Sequence, residues 1–88
     1  MNLTPEQREQ VRLSILRLCL SRMRIGLLTS YLRSEGFRKI TAEEVELEIQ
    51  YLEDKKLLTA EGRTISPENK EYRTTADGRD FLATQGKE

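Results

Sequence analysis

The sequence predicts a mostly helical domain: a three-helix core, a two-stranded hairpin and a short C-terminal helix. Three observations carry that reading. Two stretches, Thr4-Pro5-Glu6-Gln7 and Thr41-Ala42-Glu43-Glu44, have capping-box spacing, in which the Thr hydroxyl and the Gln or Glu side chain each accept an orphan backbone N–H. Behind both, apolar residues recur at helical intervals, Val11/Ile15/Leu18/Cys19 and Val45/Ile49/Leu52. From Leu57 onward that period is lost, and Ser66-Pro67-Glu68-Asn69 separates two short runs suited to strands.

The first helix is expected from Pro5 to about Arg22, with Thr4 as N-cap and Pro5 at the first helical position. Its apolar face is wider than one stripe, because Leu13, Leu16, Leu20 and Met23 extend it. Two explanations remain open: the helix is covered on both sides within the fold, or Leu13 and Leu20 are left for a second subunit. A second helix is expected over Ile25–Glu35, with Ile25, Leu28 and Leu32 inward and Gly36 at its left-handed cap. Phe37 then packs back onto it, and Arg38-Lys39-Ile40 reads as a very short strand.

Thr41 starts the third helix, whose inward stripe is Val45, Ile49 and Leu52, with the stem of Lys56 along its edge. Leu57–Ile65 reads as a strand, residues 66–71 as a turn and Tyr72–Thr74 as the returning strand. Thr75 caps a last helix from Ala76 to about Thr84 that presses Phe81 and Leu82 onto the core. Residues 1–88 are thus expected to form one domain, ordered over about 4–84 with 85–88 as a frayed tail.

Composition narrows the function classes. A chain that is 34% charged and 36% hydrophobic, with the apolar residues periodic, folds rather than staying disordered. The most apolar stretch, Ile15–Leu20, is too short to span a bilayer and is interrupted by Arg17. The start lacks a basic and apolar leader, and one cysteine allows no internal disulfide, so a cytoplasmic location is expected. The formal net charge of zero hides an asymmetry. Arg8, Arg12, Arg17, Arg22, Arg24, Arg33, Arg38 and Lys39 lie before residue 41; Glu43, Glu44, Glu46, Glu48, Glu53 and Asp54 crowd the third helix.

Catalysis is not expected. There is no histidine to titrate near neutrality or to join a metal cluster. Cys19 lies on the apolar stripe, the glutamates read as solvated helix exteriors, and the five glycines form no phosphate loop. No cofactor, metal, small-molecule ligand or membrane partner is indicated.

The order of elements, together with Tyr72-Arg-Thr-Thr-Ala-Asp-Gly-Arg-Asp-Phe-Leu82, resembles the winged helix-turn-helix superfamily of small bacterial and phage regulators. Tyr51-Leu-Glu-Asp-Lys-Lys-Leu-Leu58 is similar to the end of that family's recognition helix, where glycine usually stands in place of Lys56. The resemblance spans about residues 8–84, and its size and layout suggest a phage or prophage origin. It implies the fold and, through the fold, double-stranded DNA as a partner.

The third helix is a poor major-groove reader, since Glu43, Glu44, Glu46, Leu47, Gln50, Tyr51 and Asp54 would face the duplex. The expected contacts are instead phosphate contacts from Arg33, Arg38 and Lys39 around the turn and from Arg63, Lys70 and Arg73 on the wing. The alternative is a protein-interaction module, centred on Leu47 and Tyr51 with Glu43 and Glu44 beside them. A second copy could supply Leu13 and Leu20 to that face.

Overall fold

The computed structural model describes residues 3–61 and 70–85. Its elements are α1 (Pro5–Leu18), β1 (Met23–Arg24), α2 (Ile25–Ser34), α3 (Ala42–Asp54), β2 (Leu58–Glu61), β3 (Glu71–Thr74) and α4 (Ala76–Gln85). Both capping boxes form: Thr4 caps α1 with Gln7, and Thr41 caps α3 with Glu44. The expected strand over Arg38–Ile40 is a turn instead, and it is pinned by its own backbone bond, Ile40 N–H to Phe37 O at 3.1 Å.

The ends of α2 and α3 are closed in the same way. After α2, the Gly36 and Phe37 N–H groups donate to Arg33 O and Leu32 O at 3.4 and 3.1 Å, with Gly36 at φ 116. After α3, the Lys56 and Leu57 N–H groups donate to Glu53 O and Leu52 O, each at 2.9 Å. Both are Schellman caps, whose pivot residue is left-handed. At the second one the pivot is Lys56, at φ 62. This geometry explains why glycine suits that place, and it takes Lys56 off the helix, so its stem does not extend the core stripe as expected.

Helix α1 ends four residues before Arg22, because its last carbonyls serve β3. Thr74 donates its Oγ1 to Leu16 O at 2.6 Å and its N–H to Cys19 O at 2.9 Å. The chain then turns and lays Met23–Arg24 along the free edge of β3, an unanticipated third strand. The sheet order is β1-β3-β2, antiparallel throughout, with Met23 opposite Tyr72 and Ala60 opposite Tyr72 from the other side. Alternation puts Met23, Tyr72, Thr74 and Leu58 toward the helices, and Arg24, Glu71, Arg73 and Thr59 outward.

The core gathers Val11, Ile15, Leu16 and Cys19 from α1 and its cap, Ile25, Leu28 and Leu32 from α2, and Val45, Ile49 and Leu52 from α3. Ile40, Leu58 and Tyr72 close it. Phe81 departs from expectation: it is 37% exposed, while Leu82 packs partly against the core. The cause is Gly78, where α4 meets the backbone of Leu57 and the methyl of Thr74 so closely that a Cβ would not fit. Gly78 and Leu82, one turn apart, form the inner face, and Phe81 falls to the side.

Candidate nucleic-acid interface

The turn into α3 is held from below. Ile40 is fully buried, and its carbonyl accepts a bond from Arg33 Nε at 3.0 Å. Arg33 thus supports the turn through its Nε, while its side chain stays exposed with further donors. Arg38 and Lys39, between the Gly36 cap and buried Ile40, are both solvent-exposed and lie just before the N-terminus of α3.

The wing is less basic than its sequence suggests. Arg73 lies 3.8 Å from Glu61, and Arg22 lies 3.6 Å from the same carboxylate. Burial raises the Glu53 carboxyl above its ordinary range; Lys70 opposes that rise and Asp54 adds to it. The Tyr72 phenol is also pushed up, chiefly by burial and then by Glu53 and Glu46. Arg63 lies outside the described residues. Arg24 was not anticipated: it is exposed on the outer sheet face beside Arg22 and Arg73, with no ion-pair partner among the described residues. Only the strand pairing of Met23–Arg24 could have revealed it.

The acidic helix divides into separate roles. Glu44 accepts from the Thr41 N–H and hydroxyl at 3.1 and 3.2 Å, so it belongs to the cap. Glu48 corrects the reading of all these glutamates as solvated. It is buried, with Arg12 Nε at 2.6 Å and Arg8 Nε at 3.8 Å. Its position was available in the sequence, since residue 48 follows Val45 by three and precedes Leu52 by four, on the core side of α3. The Arg12 guanidinium also lies 3.7 Å above the Tyr51 ring, which covers one face of an expected interface residue. Tyr51 remains 39% exposed and Leu47 59% exposed, with Glu43, Gln50 and Asp54 also at the surface. Leu13, another expected interface residue, is half-buried, whereas Leu20 is 47% exposed.

Cys19 is buried and its thiol is pushed up to about 12 by desolvation, which leaves it unreactive. Among the described residues no group of three or more His, Cys, Asp or Glu could hold a metal ion, and no helix is long and apolar enough to cross a membrane.

A helix-turn-helix whose second helix runs into an antiparallel hairpin is the winged helix-turn-helix fold, and this chain has it. Solved structures agree. A protein of Thermoplasma acidophilum named as a transcriptional regulator superposes with a TM-score of 0.83 at 12% identity, over 98% of this chain and 84% of its own. A PadR-like transcriptional regulator of Bacillus cereus gives 0.75 at 18% identity, over 92% and 82%. A PadR family transcriptional regulator of Eggerthella lenta gives 0.73 at 26% identity, over 91% and 72%. No protein-family profile and no curated sequence matches the chain.

Proposed function

We propose that this chain is a cytoplasmic, non-catalytic DNA-binding regulator of transcription. It would hold the duplex by its phosphates, through the turn before α3 and the outer face of the wing. The observation that carries this reading is the exposed Arg38–Lys39 pair on a turn fixed by Ile40 and Arg33, at the N-terminal end of α3. A basic pair there meets phosphate without bringing Glu43 and Asp54 into the groove. The wing adds Arg73, which is shared with Glu61, together with Lys70 and Arg24. The names of the structural neighbours support the same class.

Fluorescence anisotropy with labelled duplexes of unrelated sequence tests it. Arg38→Glu with Lys39→Glu weakens binding about tenfold or more, and equally on every duplex, since phosphate contacts carry no base information. Unchanged affinity would remove the turn from the interface. Loss of discrimination on Gln50→Ala, with the turn variants silent, would return base reading to α3.

One observation favours a second reading. Leu47 is a large, exposed apolar residue amid acidic neighbours, a surface that suits a protein partner with a basic rim. Leu47→Asp separates the two: it abolishes capture of such a partner and leaves DNA retention unchanged.

A further inference from the structure

We infer, building on the protein-partner reading, that the outer face of α3 docks a basic segment of another polypeptide. An apolar side chain of that segment sits on Leu47 and Tyr51, with a cation on either side of it. Leu47 and Tyr51 stand one turn apart on this face, and both are exposed. Leu47 also borders a groove of about 630 Å³ between the start of α1 and the first half of α3, lined by Leu3, Arg8, Thr41 and Glu43. An apolar side chain laid across Leu47 enters this groove toward Leu3, which itself packs against the core.

The Tyr51 ring is an anchor fixed before anything binds. Buried Glu48 accepts from Arg12 Nε at 2.6 Å, and the Arg12 guanidinium lies 3.7 Å from the ring centroid. An aromatic side chain held in this way gives up little further freedom on association, and such anchors concentrate binding energy. The buried pair thereby positions a side chain that neither the turn nor the wing uses.

The charges choose the occupant. Along Ala42–Asp54, α3 carries six carboxylates and no basic residue. Two of them, Glu44 and Glu48, serve the cap and Arg12. Glu43 and Asp54 are exposed, flank Leu47 and Tyr51 along the same face, and have no ion-pair partner among the described residues. The two lie on the order of 16 Å apart along the helix axis, at about 1.5 Å per residue. Phosphate is repelled at both ends of this face. An Arg or Lys of a polypeptide instead meets a carboxylate at each end, while an apolar residue fills the middle. The ends set orientation and the middle supplies most of the affinity.

Selection from a display library of random peptides about sixteen residues long, enough for about 24 Å of helix, against the immobilised full chain tests this. Enriched peptides carry Arg or Lys on both sides of an apolar residue. Measured singly by fluorescence anisotropy, they lose about tenfold or more in affinity on Leu47→Asp and on Tyr51→Ala. Both positions are exposed, and circular dichroism of these variants matches the wild type. Glu43→Gln with Asp54→Asn weakens the same peptides about fivefold, the loss expected for two exposed ion pairs, and flattens their salt dependence. Peptides that need Leu47 but bind the Glu43→Gln, Asp54→Asn chain unchanged overturn the basic occupant and leave the protein-partner reading standing. Peptides indifferent to Leu47, or no enrichment at all, overturn both. Loss of discrimination among duplexes on Leu47→Ala gives the face to DNA, and a wild-type oligomer dissociated by Leu47→Asp gives it to a second copy; either overturns the proposal.

Discussion

Lys56 shows how one residue can carry a backbone cost for the fold around it. It sits in the left-handed conformation at φ 62, where a side chain crowds the following carbonyl. Its surroundings nevertheless fix that geometry. The Lys56 N–H donates to Glu53 O, and its own carbonyl accepts from Thr75 Oγ1 at 2.8 Å. The side chain itself is exposed and pairs with nothing among the described residues. Lys56→Gly should therefore remove strain without losing a contact and stabilise the protein by about 1 kcal/mol. Urea unfolding followed by circular dichroism reads this as a higher midpoint at unchanged slope. A lower midpoint would mean that the lysine stem contributes packing. Arg12, by contrast, serves two neighbours at once: it satisfies buried Glu48 and covers Tyr51, so its charge is withdrawn from any outside ligand.

Among the elements, those set by short-range chemistry were legible in the sequence. Thr4 and Thr41 start helices, Gly36 stops one, and the Val45/Ile49/Leu52 stripe is buried, because each signal acts within a turn or two of itself. What escaped depends on distant parts of the chain. β1 exists because β3 offers it an edge, and α1 stops early because Thr74, 58 positions beyond Leu16, takes its carbonyls. Of the candidate residues, Arg38 and Lys39 are neighbours in the sequence and both are exposed, whereas the Glu61 partner of Arg73 required the sheet. The direction of α4 was illegible for a similar reason: nothing near Gly78 in sequence shows that the Leu57 backbone lies against it. Alanine is the better helix former by about 1 kcal/mol, yet Gly78→Ala should destabilise by about 1–3 kcal/mol, since α4 must move off Leu57 and Thr74. A lower melting temperature checks this. A rise would show that α4 can shift at no cost.

For the molecule as a whole, the distribution of charge matters more than its total. Fifteen basic and fifteen acidic residues cancel formally, and five of the basic ones lie against carboxylates of the chain itself. Arg8 and Arg12 lie against Glu48, Arg17 against Glu35, and Arg22 and Arg73 against Glu61. With zero formal net charge, DNA binding of the proposed kind would rest on local cations such as Arg38, Lys39 and Arg24 and not on a general positive field. Each phosphate neutralised releases counterions and adds about −0.9 to the slope of log affinity against log salt. The wild type should accordingly show a shallow slope, and Arg38→Ala with Lys39→Ala should flatten it by about 2. The same change should leave relative preference among duplexes untouched, because the proposed contacts of these side chains are to phosphate and not to base edges. Titrations of one labelled duplex across a salt series, with wild type and double variant side by side, read the difference directly. Parallel lines would show that the turn does not touch DNA, and the outer sheet face, with Arg24 at its edge, would then have to hold the duplex alone.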